Sequence, residues 1–576
     1  MGDPRLPISL ELSNGDYYDQ IMGMSQGIIN SSFEKLYEKY EGLQKINVKI
    51  SDGSIVGEMN PPKITIPAYE NKLDQSKVYH QLSFKTGTMK TINGFTLNLD
   101  GWIIIIECDM EVKDIPRVPK DGETAADKAE REKFEDSFSA PGDYRVERLY
   151  VKLTSANWNK VDDRSRVVNP RTGVHCSYTE WVDDVEEWND SGDGDEDDST
   201  FNFEFMMKQW TRQLEKNSLT TLGFKLTKPK PDDKATFVPT SSINESYPYY
   251  DPDGHVGGDI LTGTAGNYNC FVYLENVRDR QGPPRILEWT ANLAYPAHGN
   301  FPETNGSFVL SRQLFMEKFL LPQLQVLNRG TTVYIDAASS LPEGWRFPNS
   351  FDQGLQDPKG PSDPKFAFYL LGDKTKTAAQ YHNAMDKPLA PHQVVAGGDW
   401  RRFVHSSETT VTVQWIPGTN QFEIKGDIHY VRQAYVSSTS SHPDTTNSFG
   451  WSLEDYKWPW SFRVSIGQKD GSLIITFPED VQSGQSVVTL DGTHPWVDDA
   501  VNLKNNGLDK HVKPHIVQTI NSLNHSLNEN FKHAGKFVYP GSGQLNFSGP
   551  KFANNGSLFC DVEWKPLGDG ELIQVQ

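Results

Sequence analysis

The chain has 576 residues, a formal net charge of −21, and 36% hydrophobic and 11% aromatic residues. This length exceeds one ordinary core and predicts two or more domains or one elongated body. Its 14 Trp and 22 Tyr exclude a disordered chain. The negative balance, with no dense Lys/Arg run, excludes nucleic acid as a partner and general adhesion to anionic membranes. Any lipid contact must therefore rest on apolar burial.

The opening MGDPRLPISLELSNG has neither a basic leader nor an apolar core, so a cytoplasmic location is expected, with non-classical release left open. Leu6 stands where myristoylation after Gly2 needs Ser or Thr. Aliphatic runs such as Trp102–Ile106 are too short to span a bilayer. Cys108, Cys176, Cys270 and Cys560 are scattered without CxxC spacing and read as buried free thiols.

The first predicted helix is Tyr17–Tyr40, with Tyr18, Ile21, Ile28, Ile29, Phe33, Leu36 and Tyr40 on one face. Gly23 and Gly27, one turn apart on it, would admit another backbone. A β meander follows in Lys85–Thr91, Phe95–Leu99 and Trp102–Val112, with turns at Asn93-Gly94 and Asp100-Gly101, and continues in Arg145–Leu153. Trp181–Thr200 carries ten carboxylates between Asp183 and Asp198. It lacks the ligand order and glycine of a calcium loop and reads as a solvated insert. Phe203, Met206, Met207, Trp210 and Leu214 then mark a second helix. Pro231–Gly266 reads as loops, and Cys270–Leu274 and Ile286–Leu293 as strands.

In Phe308–Val326, Ser311 is placed to cap a strongly apolar helix with Leu314, Phe315, Phe319, Leu320 and Leu321 on its face. Pro322 should bend or stop that helix. Strands return at Thr410–Trp415, Gln421–Lys425, Asp427–Val436, Phe462–Ile466 and Ser472–Phe477, the last two around a turn at Lys469-Asp470-Gly471. The last helix, His511–Lys532, has Pro514 in its first turn and a stripe of Ile516, Ile520, Leu523, Leu527 and Phe531. Gln544–Phe547 and Leu558–Trp564 flank a turn at Asn554-Asn555-Gly556. Long helices laid on curved, one-face-apolar sheets leave an apolar groove wherever the layers do not interdigitate.

Three stretches carry a family resemblance: Gly15-Asp16-Tyr17-Tyr18 leading to Ile28-Ile29-Asn30, Phe308–Pro322, and Phe537–Gly541 into Phe547. They resemble the OrfX-type accessory proteins, which are encoded beside clostridial botulinum-like neurotoxins and have homologues in other bacteria and in fungi. The resemblance implies a TULIP (tubular lipid-binding) fold, akin to bactericidal permeability-increasing protein and synaptotagmin-like lipid-transfer domains. It transfers no catalytic residue. The acidic insert and Tyr247–Asp251 match nothing in that family.

Enzyme motifs are weak. Gly541-Ser542-Gly543 lacks nucleophile-elbow spacing, and Gly263–Gly266 is not followed by Gly-Lys-Ser/Thr. His511 and His515 lie four apart but straddle Pro514 at a helix start, so no metal site is expected. Asp498 and Asp499, with Trp451, Trp458 and Trp460 nearby, could form a sugar cleft. Those tryptophans could equally pack a sheet face or sit at a tube mouth.

The expected fold is α+β: elongated TULIP-like modules with long amphipathic helices on highly curved antiparallel sheets. One module would span 1–300, with the acidic insert near 183–198, and a second 301–576. The expected function is sequestration of a lipid or other hydrophobic ligand. The groove would be lined by Ile28, Ile29, Phe33, Phe315, Phe319, Leu320, Ile520, Leu523 and Leu527, with no cofactor, metal or catalytic residue. The alternatives are a toxin-complex accessory protein acting through a protein partner without ligand, and an enzyme (a carbohydrate-active hydrolase, or a cyclase or isomerase on a hydrophobic metabolite).

Overall fold

A computed structural model describes residues 3–51, 53–67, 77–90, 96–115, 145–156, 166–168, 170, 173, 175–176, 196–216, 219–227, 237–251, 253, 264–278, 280–283, 287–297, 301–332, 364–371, 378–388, 400–438, 448–469, 472–484, 487–492, 508–531, 537–539 and 543–565. Helix and sheet are mixed, with strand predominant, an α+β architecture that includes a curled, half-barrel sheet. The insert Asp183–Asp198 lies outside the described residues as far as 195, as do Asn93-Gly94, Asp470-Gly471, Asp498 and Asp499.

A 17-stranded network is antiparallel at every pairing among its named strands. Its spine begins at Ser241–Tyr247 and passes through Cys270–Asn276, Gln20–Ser25 and Gly306–Leu310. It continues through Leu558–Lys565, Gly543–Phe552, Phe537–Tyr539 and Thr221–Thr227. Arg145–Lys152, Ile103–Ile115, Lys77–Lys90, Ser54–Met59 and Lys45–Lys49 complete it. The second, eight-stranded sheet is built on Trp400–Trp415, Gln421–Ser438 and Ser448–Lys469. The two sheets meet where Pro417 bridges Phe552 and Gly418 N–H donates to the Phe552 carbonyl.

The first helix is Gln26–Lys39, shorter than its periodicity predicts. Residues Gln20–Ser25 are instead a strand buried at every position. It is flanked on both sides by apolar strands, and that double burial mimics a helical face over so short a run. Gly23 is thus a strand residue: a Cβ at the facing Gly306 would lie 2.3 Å from the Gly23 carbonyl oxygen. Ser25 caps the helix, its Oγ accepting the Ile28 N–H.

The second helix spans Glu196–Lys216 and buries Phe203, Met206, Met207, Trp210 and Leu214. Residues Leu287–Leu293 form no strand. Their polar groups are taken by side chains: Leu287 N–H donates to the Glu245 carboxyl, Thr290 N–H to Tyr247 Oη, and Tyr247 O–H to the Ala291 carbonyl.

Ser311 Oγ accepts the Leu314 N–H, as the capping argument requires. The helix does not stop at Pro322. Gln313–Leu320 is wound as a π-helix that runs into an α-helix, Leu321–Thr331. Pro322 therefore falls at the junction of the two, where the change of hydrogen-bond pattern accommodates its missing N–H. The last helix begins at Leu508, three residues early, which leaves Pro514 inside it. It crosses the preceding helix where Gly330 accommodates the His515 ring, and it meets Ser472–Thr476 through Asn528, whose amide bonds both the N–H and the carbonyl of Ile475.

Candidate functional site

The interior supplies the site. A single apolar cluster runs from the first helix through both sheets to the last helix. All nine residues predicted to line a groove belong to it, and the most exposed of them, Ile28, is only 7% accessible. The structure brings Phe315 and Phe319 against the last helix through Phe531, at ring-centroid distances of 5.5 and 5.9 Å. Phe237 closes this group, 4.8 Å from Phe319 and 5.4 Å from Phe531. Phe33 belongs to a different neighbourhood, its ring edge-on to His80 at 6.1 Å. The nine thus fill two packed regions rather than line one open channel.

Beside Phe33 lies a largely enclosed cavity of about 10 Å³, room for one water. The first helix contributes Phe33 and the second contributes Trp210 and Leu214. The sheet side supplies Met59, Leu82 and His80, the short helix Glu41–Gln44 supplies Leu43, and the connecting segments supply Asn60, Pro62, Leu219 and Thr220. Of the nine residues predicted to line a groove, Phe33 lines this cavity. Trp210, Leu214, His80 and Thr220 were not among the predicted lining residues. The clue was present: His80 falls in register with Val78, Leu82 and Phe84, a lone imidazole on an apolar strand face.

Two polar atoms here lack a hydrogen-bond partner among the described residues, His80 Nδ1 and Thr220 Oγ1. Both residues are 2% exposed. Burial pushes the His80 imidazole down to about 4, so it is neutral at pH 7. Asn60 is engaged elsewhere, its Nδ2 donating to Ser83 Oγ.

A second concavity, of about 500 Å³, opens on the eight-stranded sheet. Thr410, Thr412, Lys425, Gly426, Asp427, Pro459, Trp460 and Ser461 line it, together with Gln482–Gly484. Lys425 is paired at 2.7 Å with Glu423. Trp458 and Trp460 are buried in the apolar cluster, where the Trp460 ring lies directly over Gly426. Both pack the sheet, and Trp460 also borders the concavity.

Among the described residues no group of three or more His, Cys, Asp or Glu could hold a metal ion. Cys108, Cys270 and Cys560 are buried free thiols, all pushed up by burial. No helix among the described residues is long and apolar enough to cross a membrane.

No protein-family model matches the chain, and no curated protein matches it. Among solved structures it is similar to P47 of Clostridium botulinum E1, at 10% identity and a TM-score of 0.41, covering 95% of this chain and 98% of that one. P47 from Clostridium botulinum A2 is similar at 11% identity and a TM-score of 0.40, over 95% and 97%. A lipopolysaccharide binding protein is similar at 8% identity and a TM-score of 0.24, over 96% and 99%.

Proposed function

We propose that this protein sequesters a lipid or other hydrophobic ligand between helix and sheet, entering at the cavity beside Phe33. The observation that carries this reading is the composition of that cavity: apolar walls from helices and a sheet, and two buried polar atoms, His80 Nδ1 and Thr220 Oγ1, with no hydrogen-bond partner among the described residues. Buried polar atoms are paired as a rule, so these two call for a partner from outside the protein chain. Since the space is now water-sized, a ligand chain enters by displacing Trp210 and Leu214 outward with their helix. Burying a few hundred Å² of ligand at about 25 cal/mol per Å² supplies several kcal/mol before ordering costs. The groove proposed from the sequence extends this site through Ile28 and Ile29. A second pocket of the same kind would form at Phe315, Phe319, Leu320, Ile520, Leu523 and Leu527. The two-module division at residue 300 belongs to the same proposal, with the strands Phe537–Lys565 shared between modules.

The test is native mass spectrometry of the purified chain, with an organic extract analysed in parallel. A defined adduct of lipid mass supports the reading. A clean apo mass, together with no uptake of an added apolar probe, refutes it. That result would favour the second reading, a closed-core accessory protein acting through a protein partner, for which the tight burial of all nine predicted lining residues already speaks.

A further inference from the structure

The cavity beside Phe33 also constrains what can sit in it. None of its lining residues carries a charge: they are aliphatic, aromatic or thioether side chains, with Asn60, His80 and Thr220. A carboxylate or phosphate placed there would lose its hydration with no counter-charge to replace it. A purely hydrocarbon end would leave His80 Nδ1 and Thr220 Oγ1, which have no partner among the described residues, unsatisfied. A hydroxyl meets both needs. It donates one hydrogen bond and accepts another, and the lining residues His80 and Thr220 supply a neutral imidazole and a hydroxyl that can take complementary roles. The space, about 10 Å³, matches one such group.

We infer that the cavity is a site for one neutral hydroxyl group held between His80 and Thr220. It is a water in the unliganded protein and the alcohol end of an apolar molecule when ligand is bound. This rests on the reading that the cavity opens to an apolar ligand, and it narrows the class to neutral alcohols over fatty acids and phospholipids. The neutrality of His80 near pH 7 agrees with it.

The experiment is isothermal titration calorimetry of the full chain at pH 7.5 with 1-octanol and with octanoate, on the wild type, Thr220→Val and Thr220→Ser. We expect octanol to bind at least about tenfold more tightly than octanoate, Thr220→Val to weaken octanol by about tenfold, and Thr220→Ser to retain it. Octanoate binding as tightly as octanol overturns the inference. Preferential octanol binding that ignores Thr220→Val also overturns it while leaving the proposed function standing. Binding of neither overturns both. A crystal structure of the unliganded protein with no water within hydrogen-bond distance of His80 Nδ1 and Thr220 Oγ1 overturns it as well.

Discussion

Arg5 is 1% exposed and ties the N-terminal segment to two strands. Its Nε and one terminal nitrogen each donate at 3.1 Å to Asp3, whose side chain is also buried. The other terminal nitrogen donates to Ser307 Oγ at 3.2 Å and to Asp561, two residues that face each other in register. The guanidinium also lies 4.7 Å from the Phe559 ring centroid. Replacing Arg5 by Met keeps most of the side-chain volume but leaves the Asp3 carboxylate, held down to about 2 with Arg5 beside it, with the Lys551 ammonium and the backbone N–H of residue 5. Removing one partner of a buried pair costs about 3–5 kcal/mol. Taking about 4 kcal/mol, amide exchange in residues 6–12 should accelerate roughly a thousandfold. Hydrogen–deuterium exchange read by mass spectrometry on peptides covering that segment measures it. Arg5→Lys should fall between the two, since it keeps the charge and loses the fork. Asp3→Asn added to Arg5→Met should recover part of the loss by removing the stranded charge. An acceleration below about tenfold for Arg5→Met would refute the reasoning, because it would make the pair worth no more than an exposed one.

Three other outcomes are expected. Gly306→Ala should lower the melting temperature more than Gly330→Ala, because the new Cβ meets the Gly23 backbone carbonyl in the first case and the rotatable His515 ring in the second. Overpacking of this kind costs about 1–3 kcal/mol. Glu245 is 1% exposed and pushed up to about 8 by burial, against 4.5 unperturbed. Its folded pKa is the higher, so stability is full below pH 4.5 and is lost as pH rises towards 8, by up to about 5 kcal/mol. Glu245→Gln should abolish that slope and be the more stable protein above pH 8, as urea midpoints across pH would show. His80 acts in the opposite sense. Its folded pKa is the lower, so stability is full above pH 6.5 and falls by about 3 kcal/mol on acidification towards pH 4. His80→Phe should flatten that acid limb in the same titration.

Much of the fold could be read where a segment has one wet face. In Gln421–Ser438 the alternation of buried Phe422, Ile424 and Ile428 with exposed Lys425 and Asp427 fixes strand and face together. The same holds for the last helix, whose stripe of Ile516, Ile520, Leu523 and Leu527 is buried throughout. Legibility failed where both faces are covered. Gln20–Ser25 lies between two apolar strands, so its pattern carries no period with which to tell strand from helix. It also failed at Pro322, since a π turn that accommodates a proline leaves no mark in residue type. The lining residues chosen from the sequence are correct as interior and silent on shape. Hydrophobicity reports that Phe315 or Leu527 is inside, whereas a void depends on how neighbouring elements fit. Only His80, a polar ring in an apolar register, marks the cavity from sequence.

The strand Gly306–Leu310 has a consequence for how the chain is made. On one edge it pairs with Gln20–Met24, and on the other with Leu558–Asp561, so that Phe308 faces Cys560, 252 residues later. Emerging from the ribosome, this strand finds its first neighbour at once and must wait for the second until residue 561 is synthesised. Through that interval it presents an open, apolar β edge of the kind that recruits other chains. Closure over so long a loop is slow. Yield of the native protein should therefore depend on elongation rate and on chaperones that shield this edge, more than on the final stability of the sheet.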